Sequence, residues 1–362
     1  MTRTSYQMSS KQPTILERIQ ALDRSTELSY RYTPLVVLDT TSNSWVAVGN
    51  LETSFVNSIL LQCRDEKGDS IFIHDTMTNK DGLIKNVFRM KADLPSIKSN
   101  VLNDEELFKR RTAILDNVTN QLLSLGVISQ KHTDVYPVSV FENSMDYGNQ
   151  KKLALVNRST APYLGIDSVG VHLHCYVCQS DNKTNKIKGL WLAKRAATKS
   201  HHPNYWDTTV AGGQPVNLSL YENIIKEAHE EAGVPSDWLC KNRILDDPMQ
   251  QETVFSDHSD DPLTMTTAKP DGSCLKRSIY YSFDLQVPDD WAPTAVDGEV
   301  SEFKLYSIPD LEEELRYGNS VRPAMRSVLL DFMMRHNLWV ECFEGELDEL
   351  RKAMRRKRMM LW

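Results

Sequence analysis

The chain has 362 residues, which at about 100–200 residues per domain predicts two domains, and its 40% apolar and 25% charged content excludes collagen-like, mucin-like and disordered classes. Lys and Arg number 42 against 49 Asp and Glu, a net charge of −7 that argues against general nucleic-acid or membrane-surface binding. The charge is uneven. Arg351, Lys352, Arg355, Arg356, Lys357 and Arg358 crowd one end, and without them the balance is 36 against 49, so an acidic body carries a basic end.

In chain order, residues 1–12 are polar and read as a frayed terminus, with an organelle-targeting segment as the alternative. No apolar run approaches the roughly 18 residues of a membrane helix, and the six scattered cysteines show no disulfide framework. A cytoplasmic, reducing compartment is therefore expected. Thr14 and Glu17 form a capping box opening a helix through Ile15, Leu16, Ile19 and Leu22. Residues 35–38 and 45–48 read as strands around a polar turn, and 70–73 as a third. Leu107, Leu115, Val118 and Leu122 predict a helix over 104–125, stopped by Gly126. A strand at 136–140 follows. The polar stretch 143–152 is the domain boundary, with 153–165 left between linker and second domain. Beyond it, residues 170–177, 189–195, 276–287 and 302–307 alternate as strands. Residues 250–273 are long and polar and read as a loop. Residues 344–359 place acids in the first turns and bases in the last, with Leu347, Leu350 and Met354 on one face. That predicts a helix matched to its own dipole, packed on the body.

The informative segment is 212–234, GGQPVNLSLYENIIKEAHEEAGV. Ser219 and Glu222 make a capping box, Gly233 suits a left-handed C-terminal cap, and Pro235 stops continuation. At 100° per residue Leu220, Tyr221, Ile224, Ile225, Ala228 and Ala232 form an apolar stripe. Glu227, Glu230 and Glu231 stack on a neighbouring face, with Glu231 beside the stripe. Three carboxylates on one turn repel one another, and a hard divalent cation would relieve that. A plain solvated acidic face is the competing reading of the spacing alone.

The segment resembles the Nudix hydrolase signature, G-x5-E-x7-R-E-U-x-E-E-x-G-U, where U is bulky aliphatic. Gly212, Glu227, Glu230, Glu231, Gly233 and Val234 fall in register, whereas Leu218, Lys226 and Ala228 replace a Glu, an Arg and an aliphatic residue. Further phrases are similar to one subgroup, the thiamine-pyrophosphokinase-related hydrolases. They are GVHLHCYV at 170–177, LAKRAATK at 192–199, PNYWD at 203–207, TVAGG at 209–213, DGEV at 297–300, RPA at 322–324 and DFMMRH at 331–336.

The resemblance implies an α+β protein. Residues 1–150 would form a smaller α+β accessory domain, 151–340 a Nudix α/β/α sandwich with a mixed sheet, and 341–362 the packed terminal helix. It implies Mg²⁺ or Mn²⁺ at Glu227, Glu230 and Glu231. Glu227 and Glu230 would have catalytic roles, with Glu299 as a distal metal ligand or general base. Arg195 and Lys199 would contact phosphate, His172 would line the pocket, and the backbone at Gly212 and Gly213 would approach the metal or phosphates. The implied reaction hydrolyses thiamine diphosphate analogues, particularly damaged forms, to monophosphate and phosphate. A broad nucleoside-diphosphate pyrophosphatase and a non-catalytic ligand-binding module stay open beside it. The expected partner is a small diphosphate, not nucleic acid or membrane, and a homodimer stays open.

Overall fold

The computed structural model describes residues 12–22, 31–79, 82–91, 103–139, 151–179, 186–199, 201–239, 254–268 and 274–355. Residues 143–150 of the expected boundary stretch at 143–152, and residues 1–11 of the polar terminus at 1–12, lie outside them.

The first half is built on a four-stranded sheet in the order β2-β1-β4-β3. Its strands are β1 (Tyr32–Asp39), β2 (Ser44–Glu52), β3 (Phe72–Thr78) and β4 (Ile84–Met90). The β1–β2 hairpin forms where two β-branched runs flank a turn in which Asp39 accepts from the Thr41 N–H and Ser42 Oγ. A short helix, α2 (Thr53–Ser58), follows β2. The long helix α3 (Asp104–Ser124) starts where Asn103 Oδ1 accepts the Glu106 N–H at 2.8 Å, and its first-turn acids suit the helix dipole. Its predicted stripe, Leu107, Leu115, Val118 and Leu122, is buried. On the same helix the buried Arg111 donates to the Leu38 and Leu153 carbonyls, tying α3 to β1 and to β6 (Lys152–Asn157). Strand β6 pairs with β5 (Val135–Ser139). Leu153, Ala154, Val156, Ala161, Tyr163 and Leu164 pack into the core of this first half, so the stretch after residue 150 goes with it by packing.

The second half centres on a mixed sheet. Strand β7 (Ser168–Cys178) runs parallel to β12 (Leu275–Val287) on one side. On the other side its first part pairs with β10 (Val210–Gly213) and its last part with β8 (Ile187–Arg195). Strands β7 and β8 thus diverge, and the segment carrying β9 (Trp206–Asp207) and β10 fills the split. Strand β13 (Val300–Ser307) closes the β8 edge.

The alternation read from sequence sorts the two faces. Val169, Val171, Leu173, Cys175 and Val177 meet Ile224, Ala228 and Ala232 of helix α4 (Leu220–Ala232). Opposite them, Tyr176, Leu190 and Leu192 meet α5 (Ile308–Tyr317), α6 (Met325–Arg335) and α7 (Glu346–Met354). Helices on both faces of a mixed sheet make an α/β/α sandwich, and the whole is α+β, as expected. Helix α1 (Ile15–Leu22), which the 1–150 expectation puts with the first half, buries Ile15 and Ile19 in this second core.

One expectation is corrected. Residues 254–268, read as loop, form β11 (Val254–Ala268), an edge strand antiparallel to β12. An edge strand needs partners on one side only, so it tolerates polar residues. Pro262 sits where the register shifts between His258 and Leu263, the place in a ladder that accepts proline. Residues 250–253 and 269–273 lie outside the described residues. The predicted terminal helix is observed as α7, with Leu350, Ala353 and Met354 buried, and 356–362 lie outside the described residues. Among the described residues no helix is long and apolar enough to cross a membrane.

Candidate active site

Helix α4 is fixed at both ends by its own residues. Ser219 Oγ accepts the Glu222 N–H at 3.2 Å while Glu222 Oε2 accepts the Ser219 N–H at 2.8 Å. Gly233, at φ +66, closes the helix in the left-handed region that favours glycine. The buried Asn223 side chain donates to the Gly213 carbonyl and to Gln214 Oε1, both at 3.1 Å, and so ties the preceding turn to the helix. Burial of Ile224, Ala228 and Ala232 then sets the rotation of the helix. Glu231, three residues beyond Ala228 and seven beyond Ile224, is turned towards the sheet, while Glu230 is turned away from it.

Glu231 is only 7% exposed, and its Oε2 accepts the Ala211 N–H at 2.9 Å. Burial raises its carboxyl well above the usual range; the Ala211 amide opposes this, and Glu227, Asp207 and Glu299 add to it. Glu227 is half-buried against Gly212, where an added Cβ would lie 2.3 Å from Glu227 Cγ. Glycine at 212 is therefore a requirement of close approach. Burial also raises the Glu227 carboxyl, opposed by Lys226 and assisted by Glu230 and Glu299.

From a separate loop, the Glu299 N–H donates to Asp297 Oδ1 at 2.8 Å, forming a turn that presents both acids. Carboxylate oxygens of Glu231, Asp297 and Glu299 all lie within 4.8 Å of one another. Glu230 is exposed and accepts from Lys226 Nζ at 2.6 Å, and the same ammonium lies 3.3 Å from Glu227. Three clustered carboxylates, one of them buried and destabilised as an anion, fit a hard divalent cation by the chemistry of their oxygens.

The other sequence-predicted residues fall at different depths. Lys199 pairs with Glu299 and is thus at the carboxylate group. Arg195 is committed to Asp207 at 3.3 Å and to the His201 carbonyl. Asp207 also takes Arg322 at 3.0 Å. Burial alone would raise the Asp207 carboxyl, but Arg322, His172, Arg195 and the Thr208 amide outweigh it and hold it below the ordinary range. His172 is buried with Nδ1 3.0 Å from Thr208 Oγ1 and its ring edge-on to Tyr280. Gly213 faces the Tyr136 hydroxyl, 3.9 Å from where a Cβ would stand.

Asp297 and Arg322 carry no role in the sequence expectations: both stand inside the phrases DGEV and RPA, but nothing in local periodicity brings either to helix α4 or to Asp207.

The sandwich, the bounded glutamate helix and the carboxylates gathered beside it suit the metal-assisted hydrolysis of a phosphoanhydride. In sequence the chain is 27% identical over 281 residues to the chloroplastic Nudix hydrolase 24 of Arabidopsis thaliana, covering 78% of this chain and 69% of that one. It is 29% identical over 238 residues to the chloroplastic Nudix hydrolase 20 of the same plant, covering 66% of this chain and 56% of that one. Among solved structures, the Ap4A hydrolase of C. elegans is matched over 48% of this chain and 99% of that one, at 16% identity and a TM-score of 0.31. No protein-family model matches the chain.

Proposed function

We propose that this chain is a divalent-cation-dependent diphosphate hydrolase whose substrates are thiamine diphosphate analogues, which it converts to monophosphate and inorganic phosphate. The observation that carries the reading is the meeting of Glu231 with Asp297 and Glu299 within 4.8 Å, beside Glu227. The thiamine class is supported by the phrases at 170–177, 192–213 and 297–336.

Hydrolysis of a phosphoanhydride needs negative charge neutralised and a water activated. A bound divalent cation would supply the neutralisation, held by Glu231, Asp297 and Glu299. The Ala211 amide orients Glu231 for that role. Glu227 is the proposed base: a half-buried carboxylate with a raised pKa takes a proton from water more readily than an exposed one. Water oxygen bonds to the terminal phosphorus, the bridging P–O bond breaks, and the monophosphate leaves with that oxygen. Lys226 holds Glu230 and steadies Glu227 from the solvent side. Lys199 holds Glu299. Leu218 and Lys226 depart from the signature outside the group of Glu231, Asp297 and Glu299.

The test is a panel of diphosphates with Mg²⁺, read by phosphate release: thiamine diphosphate, its oxidised analogues, and nucleoside diphosphates. The reading expects the highest kcat/KM on a thiamine diphosphate analogue. A preference for nucleoside diphosphates would overturn the substrate class and leave the hydrolase.

A further inference from the structure

Helix α4 packs on one face of β10, and the other face of the same strand carries a patch of bare backbone. Gly213 pairs directly with Gly170 of β7, and Gly170 in turn with Tyr280 of β12. Directly opposed residues send their side chains to one face, so the two glycines leave a gap there beside Tyr280. Gly212, one position earlier, faces the other way, towards Glu227. Neither Gly170 nor Gly213 takes a positive φ. The nearest atom to a Cβ on Gly213 would be the Tyr136 hydroxyl oxygen, at 3.9 Å, an ordinary contact. Neither backbone conformation nor crowding therefore calls for glycine at 213, which is exposed.

Two polar groups with no partner among the described residues stand at this gap. The first is the Tyr136 hydroxyl, on a side chain only 8% exposed that reaches over from β5 in the first half of the chain. Burial raises the phenol, opposed by Arg158 and assisted by Asp134, so it keeps its proton. The second is Nε2 of the buried His172, 3.5 Å from where a Cβ on Gly170 would stand. Its chemistry is fixed from the far side of the ring. Thr208 Oγ1 donates its single hydrogen to the Val210 carbonyl at 2.8 Å, so towards His172 Nδ1, 3.0 Å away, it accepts. Nδ1 therefore carries the ring hydrogen, burial keeps the ring neutral, and Nε2 is left as an acceptor. The Tyr280 ring stands edge-on to His172, with centroids 5.2 Å apart, and supplies an apolar wall. Buried polar groups without partners are costly unless something hydrogen-bonds to them. The β5–β6 hairpin is tied at this place, since Lys152 Nζ donates to the Val216 carbonyl at 2.8 Å.

We propose that the bare backbone at Gly170 and Gly213, walled by Tyr136, His172 and Tyr280, is a pocket for a planar nitrogen heterocycle that presents an N–H to His172 Nε2 and shares a hydrogen bond with the Tyr136 hydroxyl. The first half of the chain thereby completes a site on the second. Gly212 and Gly213 are successive residues of β10, so ring and carboxylates meet at one strand end. That the ring belongs to a diphosphate substrate rests on the diphosphatase reading; that the pocket takes the ring does not.

Calorimetric titration of the full chain with thiamine monophosphate and with adenosine monophosphate, beside inorganic phosphate as the ring-free control, tests the pocket in EDTA, apart from turnover. Wild type is expected to bind at least one of the ring-bearing probes more tightly than phosphate. Gly213→Val, which fills the gap, should weaken that binding at least about tenfold, and Tyr136→Phe about fivefold, as for one lost neutral hydrogen bond. Both variants should keep the wild-type unfolding temperature and their affinity for phosphate, which loss of structure would not spare. Tighter binding of thiamine monophosphate supports the proposed substrate class, and tighter binding of adenosine monophosphate supports the pocket with a nucleotide in it. Ring-bearing probes bound no better than phosphate by wild type, or as well by either variant as by wild type, overturn the proposal. Binding as expected in a protein that hydrolyses no diphosphate would leave the pocket standing and remove the hydrolase reading. Diphosphate hydrolysis that both variants leave unchanged would remove the pocket and leave the hydrolase.

Discussion

A methyl group at position 212 would overlap the Glu227 side chain, with 2.3 Å between the two carbons, so one of them must move. The flexible partner is Glu227, and displacing it moves the proposed base. Gly212→Ala should lower kcat/KM at least about tenfold and leave the far-UV circular dichroism unchanged; activity within about twofold of wild type would show that Glu227 is not positioned by this contact. A second residue-scale expectation concerns acid. Burial pushes the His172 imidazole down to about 3 from an ordinary value of 6.5. Between those values the unfolded chain binds a proton that the folded chain refuses, so this contribution to stability is complete above about pH 6.5 and is lost as pH falls towards 3. Urea unfolding at pH 7 and pH 5 should show a smaller loss of stability for His172→Asn than for wild type, and an equal loss would contradict a neutral buried imidazole. Much at this scale was legible. The helical period put Glu231 beside the apolar stripe, and it is buried there. Periodicity did not separate Glu230, whose outward direction depends on how α4 is rotated against the sheet, nor could it find Asp297, which arrives from a loop 66 positions further along the chain than Glu231.

At the scale of elements, α4 matters because its caps hold the carboxylates in register with Ala211 and the 297–299 turn. Ser219→Ala removes the acceptor for the Glu222 N–H and should cost about 1 kcal/mol in unfolding free energy. Gly233→Ala forces a side chain into the left-handed region and should cost about as much. Denaturant titration checks both, and a neutral result at both positions would mean that packing alone sets the helix. Strands β9 and β10, of two and four residues, were too short to show a period, whereas β7, β8, β12 and β13 were readable because their sequences alternate in side-chain type. Strand β11 was not, because at the edge of the sheet it carries polar residues and Pro262, and only its pairing with β12 makes it a strand. Strand β4 and helix α2 also escaped reading; both are short, with half-buried or exposed residues interrupting their patterns.

On the scale of the molecule, the acidic body and basic end are two parts of one electrostatic arrangement. Arg355 pairs with Asp331 at 2.6 Å and with Asp261 at 2.7 Å, so part of the basic end neutralises the body instead of facing a polyanion. A buried hub lies nearby. Asp284 takes His174 at 2.9 Å, His336 at 2.8 Å and Arg335, and Arg335 also reaches Asp331 at 2.8 Å. These bonds fasten α6 to the sheet face opposite α4, leaving the α4 side to the carboxylates. Glu231, Asp297 and Glu299 stand together with Glu227 beside them, where a cation would turn a repulsive group into an attractive one for phosphate. Length and charge could not foretell that α1 would join the second core, since its apolar stripe fits either half equally well.

The most direct test is Mg²⁺-dependent phosphate release from a thiamine diphosphate analogue by wild type and by Glu231→Gln, which keeps the shape of the buried side chain and removes its charge. The account predicts turnover by wild type that disappears in EDTA and falls by about a hundredfold or more in the variant; turnover indifferent to EDTA, or equal turnover by Glu231→Gln, would contradict it.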